Sequence, residues 1–266
     1  MRPNNPDQNI ILEARALSVR FGGLTAVDNL DMAIKEHEIF GLIGPNGAGK
    51  TTVFNLITQH YLPTNGDVFF MGESLKGLRP DKIVKKGICR TFQNIRLFHD
   101  LTVRDNILTG MHIRNNVNWA LSILGLGGYN RIEKEMLKKA DELLEHVGLL
   151  KYADEQATSL PYGLQRRLEI VRALATEPKL LLLDEPAAGM NPQEVTELTQ
   201  FIRDIRAQFN ITILLIEHHM NLVMKLCDQI IVINYGKKLA EGTPEAVKTN
   251  EKVIEAYLGV DKDVKS

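Results

Sequence analysis

Gly44-Pro45-Asn46-Gly47-Ala48-Gly49-Lys50-Thr51-Thr52 is the stretch on which the reading of this chain turns. It meets the spacing G-x-x-x-x-G-K-[ST], with Gly44, Gly49, Lys50 and Thr51 at the fixed positions. The apolar run Ile39-Phe40-Gly41-Leu42-Ile43 precedes it and is short enough for a buried strand. Thr52-Val53-Phe54-Asn55-Leu56-Ile57 follows and predicts a helix. Strand, glycine-rich turn and helix in this order make a phosphate-binding loop. Glycines lack a Cβ and let the backbone turn tightly against an anion. Successive backbone N–H groups form a nest, and the helix N-terminus adds partial positive charge. Lys50 is expected to reach the β- and γ-phosphates, and the Thr51 hydroxyl to ligate Mg²⁺. Pro45, Asn46, Gly47, Ala48 and Thr52 complete the loop around the nucleotide phosphates.

Composition narrows the class further. The chain has 266 residues, of which 44% are hydrophobic, enough to bury a substantial core. A net charge of -1 gives no general pull towards nucleic acid or anionic lipid, so no nucleic-acid partner is expected. The two cysteines, Cys89 and Cys227, lie far apart, which suits a reducing cytosol and forms no zinc pattern. The N-terminal stretch Met1-Arg2-Pro3-Asn4-Asn5-Pro6-Asp7 is polar and has no signal core. No run approaches the ~20 apolar residues needed to span a bilayer. The most apolar insert, Trp119-Ala120-Leu121-Ser122-Ile123-Leu124-Gly125-Leu126, is too short. Membrane association is therefore expected through a partner.

Residues near 10–35 read as β-rich, with a turn at Gly22-Gly23, and Val68-Phe69-Phe70 reads as a further strand. From Thr102 to about Gln156 the period becomes helical: Met136, Leu137, Ala140, Leu143, Leu144 and Val147 recur at three- and four-residue steps. Strand-like runs return at Leu180–Leu183, Ile211–Ile216 and Ile230–Ile233, with a helix predicted over Glu194–Gln208. Apolar strands alternating with helices predict a parallel sheet covered on both faces. At the end of one such run, Asp184 and Glu185 in Leu183-Asp184-Glu185-Pro186 deliver two carboxylates where ligands bind in these sheets. Asp184 suits the Mg²⁺ shell, and Glu185 suits positioning or deprotonating an attacking water.

With these two motifs in place, nearly the whole chain resembles the ATP-binding subunits of ABC transporters. The resemblance implies an α/β fold: a P-loop NTPase (RecA-like) core with an antiparallel β subdomain and an inserted α-helical subdomain. It implies one ABC ATPase domain over 10–258. Within it, 10–38 and 66–72 contribute to the β subdomain and 100–165 form the helical subdomain, with polar tails at 1–9 and 259–266. Phe21 matches the aromatic residue that stacks on adenine. Gln93, in Thr91-Phe92-Gln93-Asn94, matches the Q-loop glutamine, which touches Mg²⁺ and senses the membrane subunit. Leu160-Pro161-Tyr162-Gly163-Leu164-Gln165 sits at the signature motif and Gly189-Met190-Asn191-Pro192 at the D-loop. His218, in Glu217-His218-His219, matches the switch histidine that contacts the γ-phosphate. The two histidines are not read as a metal site, since adjacent strand side chains face opposite ways.

In this family the phosphate loop of one subunit is closed by the signature motif of the other. The resemblance thus implies a second ATPase subunit, identical or homologous, to whose ATP Pro161, Tyr162, Gly163 and Leu164 are presented in trans. It also implies two transmembrane permease subunits and, through them, a substrate-binding protein. This chain then lies peripherally on the cytoplasmic face of the inner membrane. Two departures stand out from the usual signature L-S-G-G-Q: Pro161 replaces the serine and Leu164 the glutamine. Proline has neither hydroxyl nor N–H, so the ATP site completed on the partner is expected to be weakened. Proline suits the first turn of a helix, so the local fold is expected to survive. Asn191 stands where many members carry Asp.

The subgroup resembled is the larger ATPase subunit of branched-chain amino acid importers. It rests on Cys89-Arg90-Thr91-Phe92-Gln93-Asn94-Ile95-Arg96-Leu97-Phe98, on Arg166-Arg167-Leu168-Glu169-Ile170, on Glu185 to Pro192 and on Val253 to Gly259. Importers of urea or short amides share these habits, and lipopolysaccharide exporters have similar length. Non-transport ABC ATPases usually carry two cassettes or a long coiled-coil insertion, which this chain lacks. The insert near Trp119 reads either as a surface loop with one buried aromatic or as part of a groove for a helix of the membrane subunit. The resemblance implies that ATP closes the dimer, that Glu185 helps water attack the γ-phosphate, and that Lys50 and His218 stabilise developing charge.

Overall fold

The apolar runs are strands, and their alternation explains how the chain is layered. The computed structural model describes residues 9–113 and 129–258. The insert near Trp119, the tail up to residue 8 and the tail from residue 259 lie outside the described residues. In chain order the strands are β1 (Ile10–Phe21), β2 (Leu24–Lys35), β3 (Ile39–Ile43), β4 (Asn65–Phe70) and β5 (Glu73–Ser74). They continue with β6 (Ile88–Arg90), β7 (Leu180–Asp184), β8 (Thr212–Ile216), β9 (Gln229–Asn234) and β10 (Lys237–Gly242).

β3, β7 and β8 are buried along their whole length. Successive side chains on a strand point to opposite faces, so such strands need cover on both. The two covers differ. Ile39, Ile43, Leu181, Leu183, Ile213 and Leu215 join a core with helices Val103–His112, Tyr129–His146, Tyr162–Leu174 and Pro192–Phe209. Phe40, Leu42, Leu180, Leu182, Leu214 and Ile216 join a second core with helix Lys50–Ile57 and the strands of the other sheet. That sheet has the order β2-β1-β4-β5 and is antiparallel throughout.

The larger sheet has the order β10-β9-β3-β8-β7-β6. Its pairings are parallel except for the antiparallel β9–β10 pair. Leu42 pairs with Ile216 and Ile216 with Asp184, so the carboxyl ends of β3, β8 and β7 lie level along one edge. In the helical part, Met136, Ala140, Leu144 and Val147 are buried while Lys138, Lys139, Glu142 and Glu145 are exposed. The three- and four-residue spacing of the sequence is thus one buried face. Among the described residues no helix is long and apolar enough to cross a membrane.

Asn191 has a role that its position in the chain did not disclose. It caps helix Pro192–Phe209, its Oδ1 accepting from the N–H groups of Gln193 and Glu194 at 3.0 Å each. Glu194 Oε2 in turn accepts from the Asn191 N–H at 2.9 Å, completing a capping box. Aspartate caps as well as asparagine, which accounts for either residue serving here. Asn191→Ala is expected to cost about 1 kcal/mol of stability, read as a lower urea midpoint, whereas Asn191→Asp keeps the midpoint. An unchanged midpoint in Asn191→Ala removes the cap from the stability of this helix.

Candidate nucleotide-binding site

The phosphate loop leaves β3 at the level edge and enters helix Lys50–Ile57. Glycine is required at two of its turns. A Cβ on Gly44 would lie 2.1 Å from the Ile233 carbonyl oxygen, and one on Gly49 2.5 Å from that of Ala26. The loop is braced by the β9–β10 turn, where the Gly236 N–H donates to the Ala48 carbonyl at 2.9 Å. Lys50 is only 6% exposed, and its Nζ donates to the carbonyls of Gly44 at 2.7 Å and Pro45 at 3.0 Å. Burial pushes this ammonium below its ordinary pKa, while the Glu185 and Asp184 carboxylates pull it back up. Beside the loop opens a cleft of about 490 Å³ lined by Phe21, Asn46 to Thr52, Glu185 and Tyr235, among others. Phe21 is 44% exposed there and meets the Tyr61 ring edge-on, with centroids 5.0 Å apart.

Glu185 follows β7 and reaches the cleft through a left-handed backbone, φ +46. That conformation is uncommon for a non-glycine residue and concentrates at functional sites. One oxygen of its carboxylate gathers two of the expected partners. Gln93 Nε2 donates to Glu185 Oε2 at 2.9 Å, and His218 Nδ1 lies 3.5 Å from the same oxygen. The structure therefore brings Gln93, Glu185 and His218 together beside the phosphate loop. His218 and His219 depart from the alternation read from the sequence, because the chain leaves β8 at Ile216. Their rings lie side by side, centroids 4.4 Å apart. The adjacent Glu217 is wholly buried, and its carboxylate accepts from the N–H groups of Ala187, His218 and His219. Glu217 thus serves as an anchor for the turns bearing Glu185 and His218.

Asp184 is almost completely buried and is not alone. Arg90 Nη2 donates to its Oδ2 at 2.7 Å, and Arg90 Nη1 donates to Asn55 Oδ1 at 2.6 Å. The guanidinium also lies near the faces of Phe54 and Phe92. The donor set expected for Mg²⁺ is nonetheless suitable. Asp184 has a second carboxylate oxygen, Gln93 uses its amide nitrogen on Glu185 and so presents its amide oxygen separately, and Thr51 is exposed in the cleft. Carboxylate, amide and hydroxyl oxygens suit a hard cation.

The signature residues lie elsewhere. Pro161, Tyr162, Gly163 and Leu164 do not line the cleft of their own chain. Pro161 is the N-cap of helix Tyr162–Leu174 rather than part of its first turn, and its carbonyl accepts from Leu164 and Gln165 N–H groups. Leu164 packs against the helix-side core, which explains an apolar residue there. Tyr162 Oη donates to the Ala188 carbonyl at 3.0 Å, joining the signature to the segment after Glu185.

Two participants have no role legible in the sequence: Arg90, which pairs with Asp184, and Glu217, which holds the turns bearing Glu185 and His218. The available signal was a charge at the end of, or inside, an otherwise apolar element. That signal does not reveal a partner distant along the chain.

Residues 27–188 match the family model described as ABC transporter. Residues 237–263 match that described as branched-chain amino acid ATP-binding cassette transporter. Over 249 residues the chain is 47% identical to the high-affinity branched-chain amino acid transport ATP-binding protein BraF of Pseudomonas aeruginosa, covering 94% of this chain and 98% of that one. It is 48% identical, with the same coverage, to the protein of like description, LivG, of Salmonella typhimurium. A solved ATP-binding cassette of an ABC transporter in its ADP conformation matches with a TM-score of 0.81 at 30% identity, over 94% of this chain and 99% of that one. A phosphate loop and an acidic strand end sharing one sheet edge, in a chain this similar along its length, place it in the ABC transporter family as an ATP-binding cassette.

Proposed function

We propose that this chain is the ATP-hydrolysing subunit of an importer of branched-chain amino acids. The reading rests above all on Glu185, which meets Gln93 and His218 beside the phosphate loop. The match of residues 237–263 supports the choice of solute class. Residues 10–258 act as one ATPase domain, with 100–165 as the lobe that carries the signature. The subunit works as a head-to-tail pair with an identical or homologous ATPase. It docks on two permease subunits at the cytoplasmic face of the membrane, and these receive solute from a binding protein.

ATP lies with its phosphates on Gly44 to Thr52 and its base against Phe21. Lys50 Nζ, held at the mouth of the loop by two carbonyls, turns to the β- and γ-phosphates. Mg²⁺, when bound by Thr51, Gln93 and Asp184, neutralises charge on the phosphate oxygens. Water attacks the γ-phosphorus in line, the bond to the β-phosphate oxygen breaks, and ADP and phosphate result. Glu185 orients that water and takes its proton. Its Oε2 is engaged by Gln93, which leaves Oε1 for the water. His218 and Lys50 stabilise the charge that develops on the transferring group.

Glu185→Gln is expected to bind ATP with near wild-type affinity in the assembled transporter and to lose at least ~10²-fold in kcat. Wild-type turnover removes Glu185 from its role. Uptake of labelled leucine by cells lacking this subunit is expected to fall, and to return with the wild-type chain but not with Lys50→Ala. Intact leucine uptake with lost urea uptake moves the solute to the amide class. Pro161→Ser, alone and with Leu164→Gln, is expected to raise the ATPase rate of the assembled transporter by restoring donors to the partner's site. No gain from folded variants means that the altered signature does not limit turnover.

A further inference from the structure

Arg166 is the largest wholly buried side chain of the described residues, and Glu169, one helical turn on, is 2% exposed. Burying two charges costs solvation that a neutral pair would not lose, so the helix does not need them for its own packing. Leu168, Ile170 and Val171 already bury its apolar side. Beyond their own ion pair and the Tyr162 hydroxyl, what the charges bind lies outside the helix. Arg166 Nη1 donates to Glu169 Oε2 at 2.7 Å and to the Phe92 carbonyl at 2.7 Å. Arg166 Nη2 donates to the Gln93 carbonyl at 2.6 Å and approaches Tyr162 Oη at 3.4 Å. Glu169 Oε1 accepts the Arg96 N–H at 3.0 Å.

Three backbone groups of one irregular segment, at Phe92, Gln93 and Arg96, are therefore held by a single turn of the signature helix. That segment, between β6 and helix Val103–His112, has no ladder of its own to satisfy these groups. From it the Gln93 side chain reaches Glu185. A second arm leaves the preceding turn of the helix, since Tyr162 Oη donates to the Ala188 carbonyl three residues beyond Glu185. The signature helix thus grips the surroundings of Glu185 at two points, through Gln93 and through Ala188.

We propose that Arg166 and Glu169 form a positioning clamp: by holding the Phe92–Arg96 backbone they fix the Gln93 amide on Glu185, so that movement of the signature helix is transmitted to this chain's own hydrolytic carboxylate. The inference rests on the ATPase reading above. A planar guanidinium with several donors can hold both carbonyls and the carboxylate together; a lysine ammonium, lacking the fixed fork, cannot.

The test uses the assembled transporter with Arg166→Gln, Arg166→Lys and Gln93→Ala, singly and with Arg166→Gln combined with Gln93→Ala. Arg166→Gln and Arg166→Lys are expected to lower kcat about tenfold, the scale of a mispositioned catalytic group. Binding of a fluorescent ATP analogue is expected to stay within about twofold, because the phosphate loop is untouched. In the combined variant Gln93→Ala is expected to cost nothing further, as for residues that act through one another. Wild-type kcat in folded Arg166→Gln, a parallel loss of nucleotide binding, or costs that multiply in the combined variant each overturn the clamp. If Arg166→Gln does not fold, the same cycle is run with Glu169→Gln, which keeps the shape and removes the charge, with the same outcomes deciding. Lys50→Ala serves as the control: wild-type ATPase there sinks the nucleotide-site reading itself, whereas its loss alongside an inert Arg166→Gln sinks only the clamp.

Discussion

Leu42 pairs with Ile216 and Ile216 with Asp184 across three strands buried on both faces, and the rest of the molecule depends on that register. A slip of one residue would exchange the two faces of a strand. Here the faces are not equivalent, since one meets helices and the other meets helix Lys50–Ile57 and the antiparallel sheet. The consequence is chemical. The phosphate loop, Glu185 and the Glu217–His218 turn all leave the sheet at one level, which places lysine, carboxylate and imidazole in one neighbourhood.

Beyond the sheet edge the chain is irregular, and buried charges do there what ladders do within the sheet. Glu217 satisfies three backbone N–H groups across two turns. Arg90 joins Asn55, on the helix after the phosphate loop, to Asp184 at the end of β7. Arg166 and Glu169 hold the segment that carries Gln93. A buried charge left unpaired would be strongly destabilising, so each of these groups is confined to its present partners. Such fixed contacts suit a site whose donors must be aimed before charge develops. Glu185 adds a local constraint of its own, since its left-handed backbone is held by the Ile216 carbonyl accepting its N–H at 2.9 Å.

The parts that sequence made legible are those governed by contacts near in the chain. Gly44 to Thr52 is readable because the glycines, the lysine and the hydroxyl act within one turn. Buried strands show as apolar runs, and the stripe from Met136 to Val147 shows as a helical period. The alternation rule failed at His218 and His219 because it holds only while a strand continues, and β8 ends at Ile216. Pro161 sits at the N-cap, just before the first turn, and whether a proline caps a helix or opens it is a boundary that local preference resolves poorly.

The sequence by itself determined the phosphate loop, the acidic strand end and the layered α/β class, since each is encoded by residue type at short spacing. Only the tertiary structure decided which distant groups meet. Arg90 finds Asp184, Gln93 finds Glu185, and Arg166 finds the carbonyls of Phe92 and Gln93 across 74 and 73 residues of chain. The physical reason is that burial removes water as a partner, so each charged or polar group must be satisfied by whatever the packing of the sheet and helices brings beside it. That choice is made by the whole fold and leaves no local pattern in the sequence.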